Sequence, residues 1–320
     1  MAERQLVWWA AVIFIALCCT RVFADVTHTI QVDQLERTYT VHEPAKHKKT
    51  LSMPVVLIFH GGGSNAKAIA RYTKMNDKAD EAGFMAVYPS GTGRLKRILT
   101  WNGGDCCGYA QRQGVDDVKF VAAMLDDLAK RYNIDQQRVY ATGMSNGAMI
   151  SYRIAAELAD RIAAIAPVGA AMAIDDPKPT RPVPVMHFHG TADEFAPYDG
   201  GRGKFTVSRF QHHRVDDCIA KWLMINRCQT KPLVRQLADI DKDDGCTVLR
   251  KSYRARKGGA PVVVYVIQGG GHNWPGRPPV HQASTRLDRK AKMDFGASTR
   301  DIDANDEMWQ FFQKFTLLSR

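Results

Sequence analysis

Ser145, Asp193 and His272 are the residue types that nucleophilic acyl transfer requires, and they occur in this order in the 320-residue sequence. The serine lies in GMSNG, residues 143–147, after a β-like run and before a helix-like run. Because a serine hydroxyl is a weak nucleophile, it needs an adjacent base and a rigid, exposed position. A tight strand-to-helix turn provides that position, and it requires glycine two residues before and after the serine. We therefore predict that Ser145 is a nucleophile; an ordinary glycine-bounded turn is the alternative.

Two further strand ends supply the partners that a nucleophilic serine needs. HFHGTAD places Asp193 after one predicted strand, and VIQGGGHNWPG places His272 after another. A histidine in this role takes the serine proton and returns it to the leaving group, while the aspartate fixes the imidazole tautomer. The order serine, aspartate, histidine is the one found where a strand–serine–helix turn holds the nucleophile. Asp199 is the second candidate for the acid.

The stretch LIFHGGGSNA, residues 57–66, predicts a binding site for a negatively charged oxygen. Glycines after a strand end let backbone N–H groups face a substrate with no side chain between them. We expect the N–H groups of Gly62 and Asn146 to form this oxyanion hole, in which losing one donor costs about 3 kcal/mol of barrier. A phosphate-binding loop is the alternative, but its GK[ST] ending is absent. His60 is predicted to orient the loop.

The elements that position these residues follow an alternation of strands and helices. Residues 26–44 alternate polar and apolar side chains, as half-buried antiparallel strands do. Six continuous apolar runs are typical of strands buried in a parallel sheet, namely PVVLIFHGG, FMAVYPSG, RVYATG, IAAIAPVGA, VPVMHFHG and PVVVYVIQGG. Helical patterns separate several of them, and an amphipathic pattern over 303–315 ends the chain. The sequence predicts an α/β fold, a doubly wound, mostly parallel sheet with helices on both faces and catalytic loops at its carboxyl edge.

Composition and charge exclude several classes of protein. The chain is 45% hydrophobic without a low-complexity tract, which is typical of a large globular core and not of a fibrous or disordered protein. The formal net charge is +11, but no nucleic-acid-binding module accompanies it. We therefore expect no nucleic-acid partner and interpret the charge as an aid to solubility and loose adhesion.

The first 24 residues predict a cleaved signal peptide. A basic start, the apolar run LVWWAAVIFIALCC and a small-x-small pattern ending at Ala24 are the features that a signal peptidase recognises. A retained membrane anchor is the alternative, but the apolar run is shorter than the roughly 20 residues that a span requires. We expect a secreted protein, extracellular or periplasmic, with one catalytic domain over residues 25–320 and a net charge of +10 after two arginines and one glutamate are removed.

Five cysteines remain after that cleavage, and export permits disulfides. Cys228 and Cys246 flank a polar loop, so we expect them to form a disulfide. Adjacent Cys106 and Cys107 could pair only through a strained ring. A zinc site is the alternative, but no paired C-x-x-C or histidine cluster supports it, and we expect no metal.

Taken together, seven motifs spread over nearly the whole mature chain resemble one known family. They are HGGGSNA, TWNGGDCCGYA, GVDDVKFV, GMSNGAM, HGTADEFAPYDGG, GGGHNWPG and the segment from Thr299 to Phe312. The chain resembles the secreted polyhydroxybutyrate depolymerase and feruloyl esterase group, the first carbohydrate esterase family. This resemblance implies an α/β-hydrolase fold, no cofactor or metal, and ester cleavage through an acyl-enzyme. It assigns Ser145 as nucleophile, Asp193 as acid, His272 as base, and Gly62 with Asn146 as oxyanion hole. Gly62 stands where some members have cysteine, a difference that leaves the backbone N–H donor in place.

The substrate is open at this stage. Feruloyl esters of plant polysaccharide and poly(3-hydroxybutyrate)-type polyesters both fit, as small or polymeric esters. Trp101 and Trp274 lie in loops beside the predicted site, so we expect them to stack on an aromatic acyl group or a sugar, with lid or packing roles as the alternative. A serine peptidase of the same fold and a non-catalytic binding protein are the competing functions.

Overall fold

A ten-stranded mixed sheet forms the centre of the computed structural model, which describes residues 25–45, 50–95, 97–205, 210–279 and 294–317. The predicted signal peptide lies outside these residues. The order across the sheet is β1-β2-β4-β3-β7-β8-β9-β12-β11-β10. The strands are β1 Val26–Val32, β2 Leu35–His42, β3 Met53–Phe59, β4 Met85–Pro89, β7 Ile134–Met144, β8 Ala164–Val168, β9 Val185–Gly190, β10 Leu233–Gln236, β11 Thr247–Tyr253 and β12 Val262–Gln268. A separate hairpin consists of β5 Thr92–Leu95 and β6 Ile98–Thr100.

Helices cover both faces of this sheet. They are α1 Ala66–Thr73, α2 Met75–Ala82, α3 Gly108–Arg112, α4 Asp117–Arg131, α5 Asn146–Glu157, α6 Val215–Ile225 and α7 Ala304–Phe312. Side chains of β3 alternate between two apolar clusters, as a strand buried on both faces requires. One cluster includes α4, α5 and α6, and the other includes α1, α2 and α7. In the described ranges, no helix combines the length and apolar character needed to cross a membrane.

The central strands bring the predicted site to one edge. Strands β4, β3, β7, β8, β9 and β12 are mutually parallel neighbours, so their carboxyl ends point the same way. Phe59 at the end of β3 is in register with Gly143 in β7, and Gly190 at the end of β9 is in register with Ile267 in β12. The loops that follow these four strands contain the glycine run, Ser145, Asp193 and His272. The prediction of a doubly wound, mostly parallel sheet is confirmed.

The structure departs from the predicted elements in two places. The helical pattern over 66–82 is interrupted at Lys74, whose left-handed backbone (φ 52°) ends α1 and starts α2. The sheet also continues past β12 through the antiparallel strands β11 and β10, which the sequence did not indicate because their side chains are mostly polar. Both differences lie away from the carboxyl edge that holds the candidate site.

A buried ion pair fixes the loop behind that edge. Arg37 in β2 donates to Asp117 at 2.6 Å, and both side chains are almost fully buried. The second oxygen of Asp117 accepts the backbone N–H of Asn102 at 2.7 Å. Burial raises the pKa of Asp117 and lowers the pKa of Arg37, because each charge loses water that its partner only partly replaces. Removing one partner of this pair should therefore strongly destabilise the fold, because the other charge is then buried without a counter-charge.

Replacing the acid of this pair provides a test of its contribution. We expect Asp117→Asn to lower the free energy of unfolding by about 3–5 kcal/mol, because the Arg37 charge stays buried without a counter-charge. Urea unfolding followed by circular dichroism measures this change. Lys178→Ala, which removes the exposed ion pair with Asp176, is the control and should leave the midpoint where it is. Equal midpoints for the two variants would contradict the role assigned to the pair.

Candidate active site

Ser145 occupies a sharp turn between β7 and α5. It is a non-glycine residue with a positive φ of 59° (ψ −120°), directly after Met144 at the end of β7 and before the first residue of α5. Such a backbone conformation is strained for a residue with a β-carbon and persists only where the surroundings enforce it. The residue is partly exposed. The turn thus presents a serine side chain at the carboxyl edge of the sheet, beside the amino end of a helix.

The two glycines of this turn are required by close packing. A β-carbon on Gly143 would lie 2.8 Å from the β-carbon of Phe59 and 2.6 Å from the carbonyl carbon of Gly147. A β-carbon on Gly147 would lie 2.8 Å from the carbonyl oxygen of His60. Real β-carbons essentially never come so close to other atoms. The spacing of the glycines therefore has a steric cause, which is the approach of α5 to the end of β3.

The candidate acid and base form a short, buried hydrogen bond. The Nδ1 atom of His272 lies 2.6 Å from Oδ2 of Asp193, and both side chains are at most 4% exposed. The other carboxylate oxygen accepts the N–H groups of Phe195 at 2.8 Å and Ala196 at 2.9 Å. Burial by itself would raise the pKa of Asp193, but the neighbouring imidazoles of His272 and His189 outweigh it, and the pKa is well below its usual range. The second candidate acid, Asp199, is 83% exposed and faces Arg214 instead.

Ser145 and His272 flank one short segment after β8. The N–H of Ser145 donates to the carbonyl of Val168 at 2.9 Å. A β-carbon on the next residue, Gly169, would lie 3.4 Å from the His272 ring. Within the part of the chain that the structure describes, the Ser145 hydroxyl makes no hydrogen bond, so its contact with His272 stays a prediction. Hydrogen bonds of this kind often tighten only when substrate is bound.

The glycine run after β3 lies against the serine turn. A β-carbon on Gly61 would be 3.5 Å from that of Ser145, and one on Gly62 would be 3.6 Å from that of Asn146. The loop is held by the Gly63 N–H, which donates to Leu99 at 2.8 Å. Asn146 is the first residue of α5, where helix N–H groups have no intrahelical acceptor. The two predicted hole residues are therefore neighbours, at the positive end of a helix dipole.

A set of buried polar groups supports this loop. The N–H of Gly91 donates to Nε2 of His60 at 3.0 Å, so Nδ1 holds the proton and donates to the Gly61 carbonyl at 2.8 Å. Burial lowers the pKa of His60 to about 4, which keeps the ring neutral. The side-chain amide of Asn146 bonds both the N–H and the carbonyl of Trp101, at 2.7 and 3.0 Å. His60 and the Asn146 side chain thus have structural contacts that orient the turn and the glycine run.

The interpretation of Trp101 and Trp274 as stacking surfaces is wrong. Both indole rings are fully buried in the two apolar clusters. Trp101 donates through Nε1 to the His60 carbonyl at 3.0 Å, and Trp274 donates to Asn305 at 2.9 Å. A ring with no exposed face cannot stack on a substrate, so the packing role applies to both.

Three phenylalanines form the aromatic surface that is open beside the base. We call Phe195, Phe205 and Phe295 the aromatic patch; all three are partly exposed. Phe195 stacks on His272 at 5.0 Å between ring centroids and on Phe295 at 4.2 Å. Phe205 and Asp193 are among the residues that line a cavity of about 740 Å³, whereas Phe195 and Phe295 are not. The sequence offered one signal for this patch, the phenylalanine two residues after the acid in HGTADEFAPYDGG.

The predicted disulfide between Cys228 and Cys246 is also wrong. Both are free, buried thiols, and they pack into different apolar clusters. Cys228 follows α6, whereas Cys246 precedes β11, so the polar loop between them does not bring their sulfurs together. The sulfurs of Cys106 and Cys107 are bonded to each other, across a cis peptide bond.

Comparison with known proteins identifies related sequences and folds. Residues 38–176 match the family described as Esterase PHB depolymerase. The chain is 33% identical over 174 residues to the bifunctional acetylxylan esterase/xylanase XynS20E of Neocallimastix patriciarum, covering 54% of this chain and 24% of that protein. It is 31% identical over 178 residues to feruloyl esterase B of Piromyces equi, covering 54% of this chain and 31% of that protein. The chain thus spans a quarter to a third of the length of these two relatives.

A solved structure supports the fold over a larger part of the chain. The acetyl xylan esterase from Aspergillus awamori superposes with a TM-score of 0.54 and 13% identity, covering 83% of this chain and 98% of that one. At this identity the similarity concerns the fold alone. The predicted α/β-hydrolase fold is confirmed.

The glycine before the serine turn provides a test of the packing argument. We expect Gly143→Ala to lower the free energy of unfolding by about 1–3 kcal/mol, because β3 or α5 must move to admit the methyl group. Urea unfolding measures the change. Gly61→Ala is a matched control, since its new β-carbon would meet no atom closer than 3.5 Å. If both variants were equally stable, the steric explanation of the glycine spacing would be incorrect.

Proposed function

We propose that the chain is a serine carboxylic ester hydrolase of the polyhydroxybutyrate depolymerase and feruloyl esterase group, a proposal that the family match over residues 38–176 and the similarity to named esterases support. The observation that supports this most directly is the 2.6 Å bond between His272 and Asp193, next to a serine held at positive φ. An imidazole–carboxylate pair close to a strained, partly exposed serine is the arrangement that nucleophilic acyl transfer requires. The similar proteins are named as esterases, which agrees with this chemistry.

The residues suggest the following reaction. His272 removes the proton from the Ser145 hydroxyl as its oxygen attacks the acyl carbon, and the negative charge that develops on the carbonyl oxygen is bound by the N–H groups of Gly62 and Asn146. His272 then gives the proton to the departing alcohol, which leaves the acyl group on Ser145. A water molecule then attacks the acyl-enzyme with the same help from His272, and the carboxylic acid product is released. Asp193 remains ionised and stabilises the imidazolium in both halves.

We propose feruloyl (hydroxycinnamoyl) esters of plant polysaccharide or poly(3-hydroxybutyrate)-type polyesters as substrates. The aromatic patch supports the first class, because the partly exposed ring of Phe195 stacks on the base and the partly exposed ring of Phe205 packs on Phe195 and lines the cavity. The matching relatives are named for feruloyl and acetylxylan ester cleavage. We also propose that the chain is secreted, extracellular or periplasmic, with one catalytic domain over residues 25–320. The sequence pattern of the first 24 residues supports this proposal.

Replacing the nucleophile tests the reaction. Ser145→Ala should lower kcat for p-nitrophenyl acetate by about 10⁴-fold or more, because no covalent intermediate can form. Steady-state kinetics and labelling with a fluorophosphonate probe measure the loss, and circular dichroism shows whether the fold persists. Ser52→Ala, at an exposed serine, is the control. Undiminished hydrolysis by Ser145→Ala would overturn the proposal, and rapid cleavage of aminoacyl anilides without ester hydrolysis would support a serine peptidase instead.

A second variant tests the role of the aromatic patch. Phe205→Ala should raise KM for methyl ferulate by about tenfold, because an apolar contact of this kind is worth about 1–2 kcal/mol. The KM of the same variant for p-nitrophenyl acetate should change much less, since its acyl group has no aromatic ring to pack on Phe205. A panel with methyl ferulate, acetylated xylan and a hydroxybutyrate oligomer measures both. Equal KM changes for ferulate and acetate would contradict an aromatic subsite here.

A further inference from the structure

We propose that a buried chain of three side chains, Tyr152, His187 and His189, positions the acid of the active site. They are positioning residues, since none is placed to touch substrate. The inference rests on the proposed function, because it concerns the acid of the proposed triad. It gives a role to histidines that the catalytic steps do not use.

Contact distances link the three side chains to the acid loop. The Tyr152 hydroxyl lies 2.9 Å from Nδ1 of His187, and Nε2 of His187 lies 3.1 Å from Nδ1 of His189. Nε2 of His189 lies 2.7 Å from the Ala196 carbonyl and 3.5 Å from Oδ2 of Asp193. All three side chains are essentially inaccessible to solvent. The three linked side chains therefore end at Ala196, the loop residue whose N–H donates to Asp193.

Secondary structure explains how these groups meet. His187 and His189 are two residues apart in β9, so their side chains lie on the same face of the sheet. Tyr152 lies in α5, the helix that begins directly after Ser145. By way of β9, the three side chains thus connect α5, which begins after the proposed nucleophile, to the loop that holds the proposed acid.

One carbonyl group fixes the direction of every hydrogen bond. The Ala196 oxygen can only accept, so Nε2 of His189 holds a proton and donates. In a neutral ring Nδ1 of His189 must then accept, and Nε2 of His187 donates to it. Nδ1 of His187 accepts in turn, so the Tyr152 hydroxyl is the donor at the far end. Both imidazoles are thereby assigned the Nε2–H tautomer.

The ionisation of the groups agrees with this direction. Burial raises the pKa of Tyr152 well above its usual value, so the phenol keeps its proton. Burial, with His189 adding to it, lowers the pKa of His187 well below its usual value, so that ring is neutral. Asp193 is the carboxylate that faces His189, and it already pairs with His272.

A third histidine lies near the acid. His212 approaches from the segment before α6, is 8% exposed, and has neither ring nitrogen hydrogen-bonded within the described residues. Burial lowers the pKa of His212 to about 4, so it too is neutral. The acid is thus surrounded by His272, His189 and His212, and only the first two are hydrogen-bonded or paired with it.

The tyrosine hydroxyl supplies the donor for Nδ1 of His187, the last acceptor in this series of hydrogen bonds. Without it, that buried nitrogen loses this donor, and a buried acceptor without a partner is destabilising. We expect the His187 ring to shift in response, which weakens its bond to His189 and the contact of His189 with the Ala196 carbonyl. The loop that supplies the N–H groups to Asp193 is then held less firmly. A change at Tyr152 should therefore reach the base without altering substrate contacts.

The first experiment reads the tautomers directly, on protein labelled with [¹⁵N]histidine at neutral pH without substrate. Signals are assigned with His187→Gln and His189→Gln. We expect both rings to show the neutral pattern with the proton on Nε2. A proton on Nδ1 of either ring, or an imidazolium at His189, would overturn the proposal. Since no substrate is present, this result is independent of whether the protein hydrolyses esters.

The second experiment measures the consequence for catalysis. Tyr152→Phe should lower kcat for p-nitrophenyl acetate by about tenfold with KM unchanged, and should shift the ¹⁵N signal of Nδ1 of His187, which loses its hydrogen-bond donor. Tyr140→Phe is the matched control, because it removes a buried hydroxyl that bonds the Phe315 carbonyl at 2.8 Å, away from the site. Its kcat and histidine spectra should be those of the unmodified protein. A kcat for Tyr152→Phe equal to that of the control would refute the positioning role, while loss of activity in the unmodified protein would count against the proposed function instead.

Discussion

The close approach of the β7–α5 turn to the end of β3 is the constraint on which the candidate site depends. Gly143 is in register with Phe59, and Gly147 packs on the carbonyl groups at the end of the same strand. This packing forces Ser145 into a positive φ and brings its turn against Gly61 and Gly62. Because Gly143 and Gly147 have no side chain, the serine, the amino end of α5 and the glycine run can lie next to one another.

Buried polar groups then make this arrangement rigid. The neutral ring of His60 joins the Gly91 amide to the Gly61 carbonyl, and the Asn146 side chain bonds both backbone groups of Trp101. Asp193 is held by two backbone N–H groups on one oxygen and by His272 on the other. A polar network in which the members are satisfied strengthens its own bonds in a low dielectric. The glycine run, the serine turn and the acid–base pair are therefore held in place before any substrate binds.

Recognition of the substrate involves a different kind of surface. The aromatic patch is partly exposed and lies in loops after β9 and before α7, whereas the two tryptophans are part of the apolar core. Loops on a rigid scaffold are where binding residues usually occur, since they can change without disturbing the sheet. The proposed reaction and the proposed substrate preference thus rest on separate parts of the molecule.

The sequence alone determined the parallel sheet, the glycine-bounded serine and the strand ends that hold Asp193 and His272, because apolar periodicity and glycine spacing are local signals. It could not determine which aromatic rings are exposed, since Trp101 and Trp274 lie in glycine-rich loops that fold inward. Nor could it pair the cysteines, because Cys228 and Cys246 are near in sequence but face opposite sides of the sheet. The polar chain from Tyr152 to Asp193 joins a helix to a strand and its loop, so it exists only in the tertiary structure. Neighbouring residues determine a strand, a turn and the side chain that follows it, whereas the exposure of a side chain and its contacts with distant residues depend on how the sheet and the helices pack.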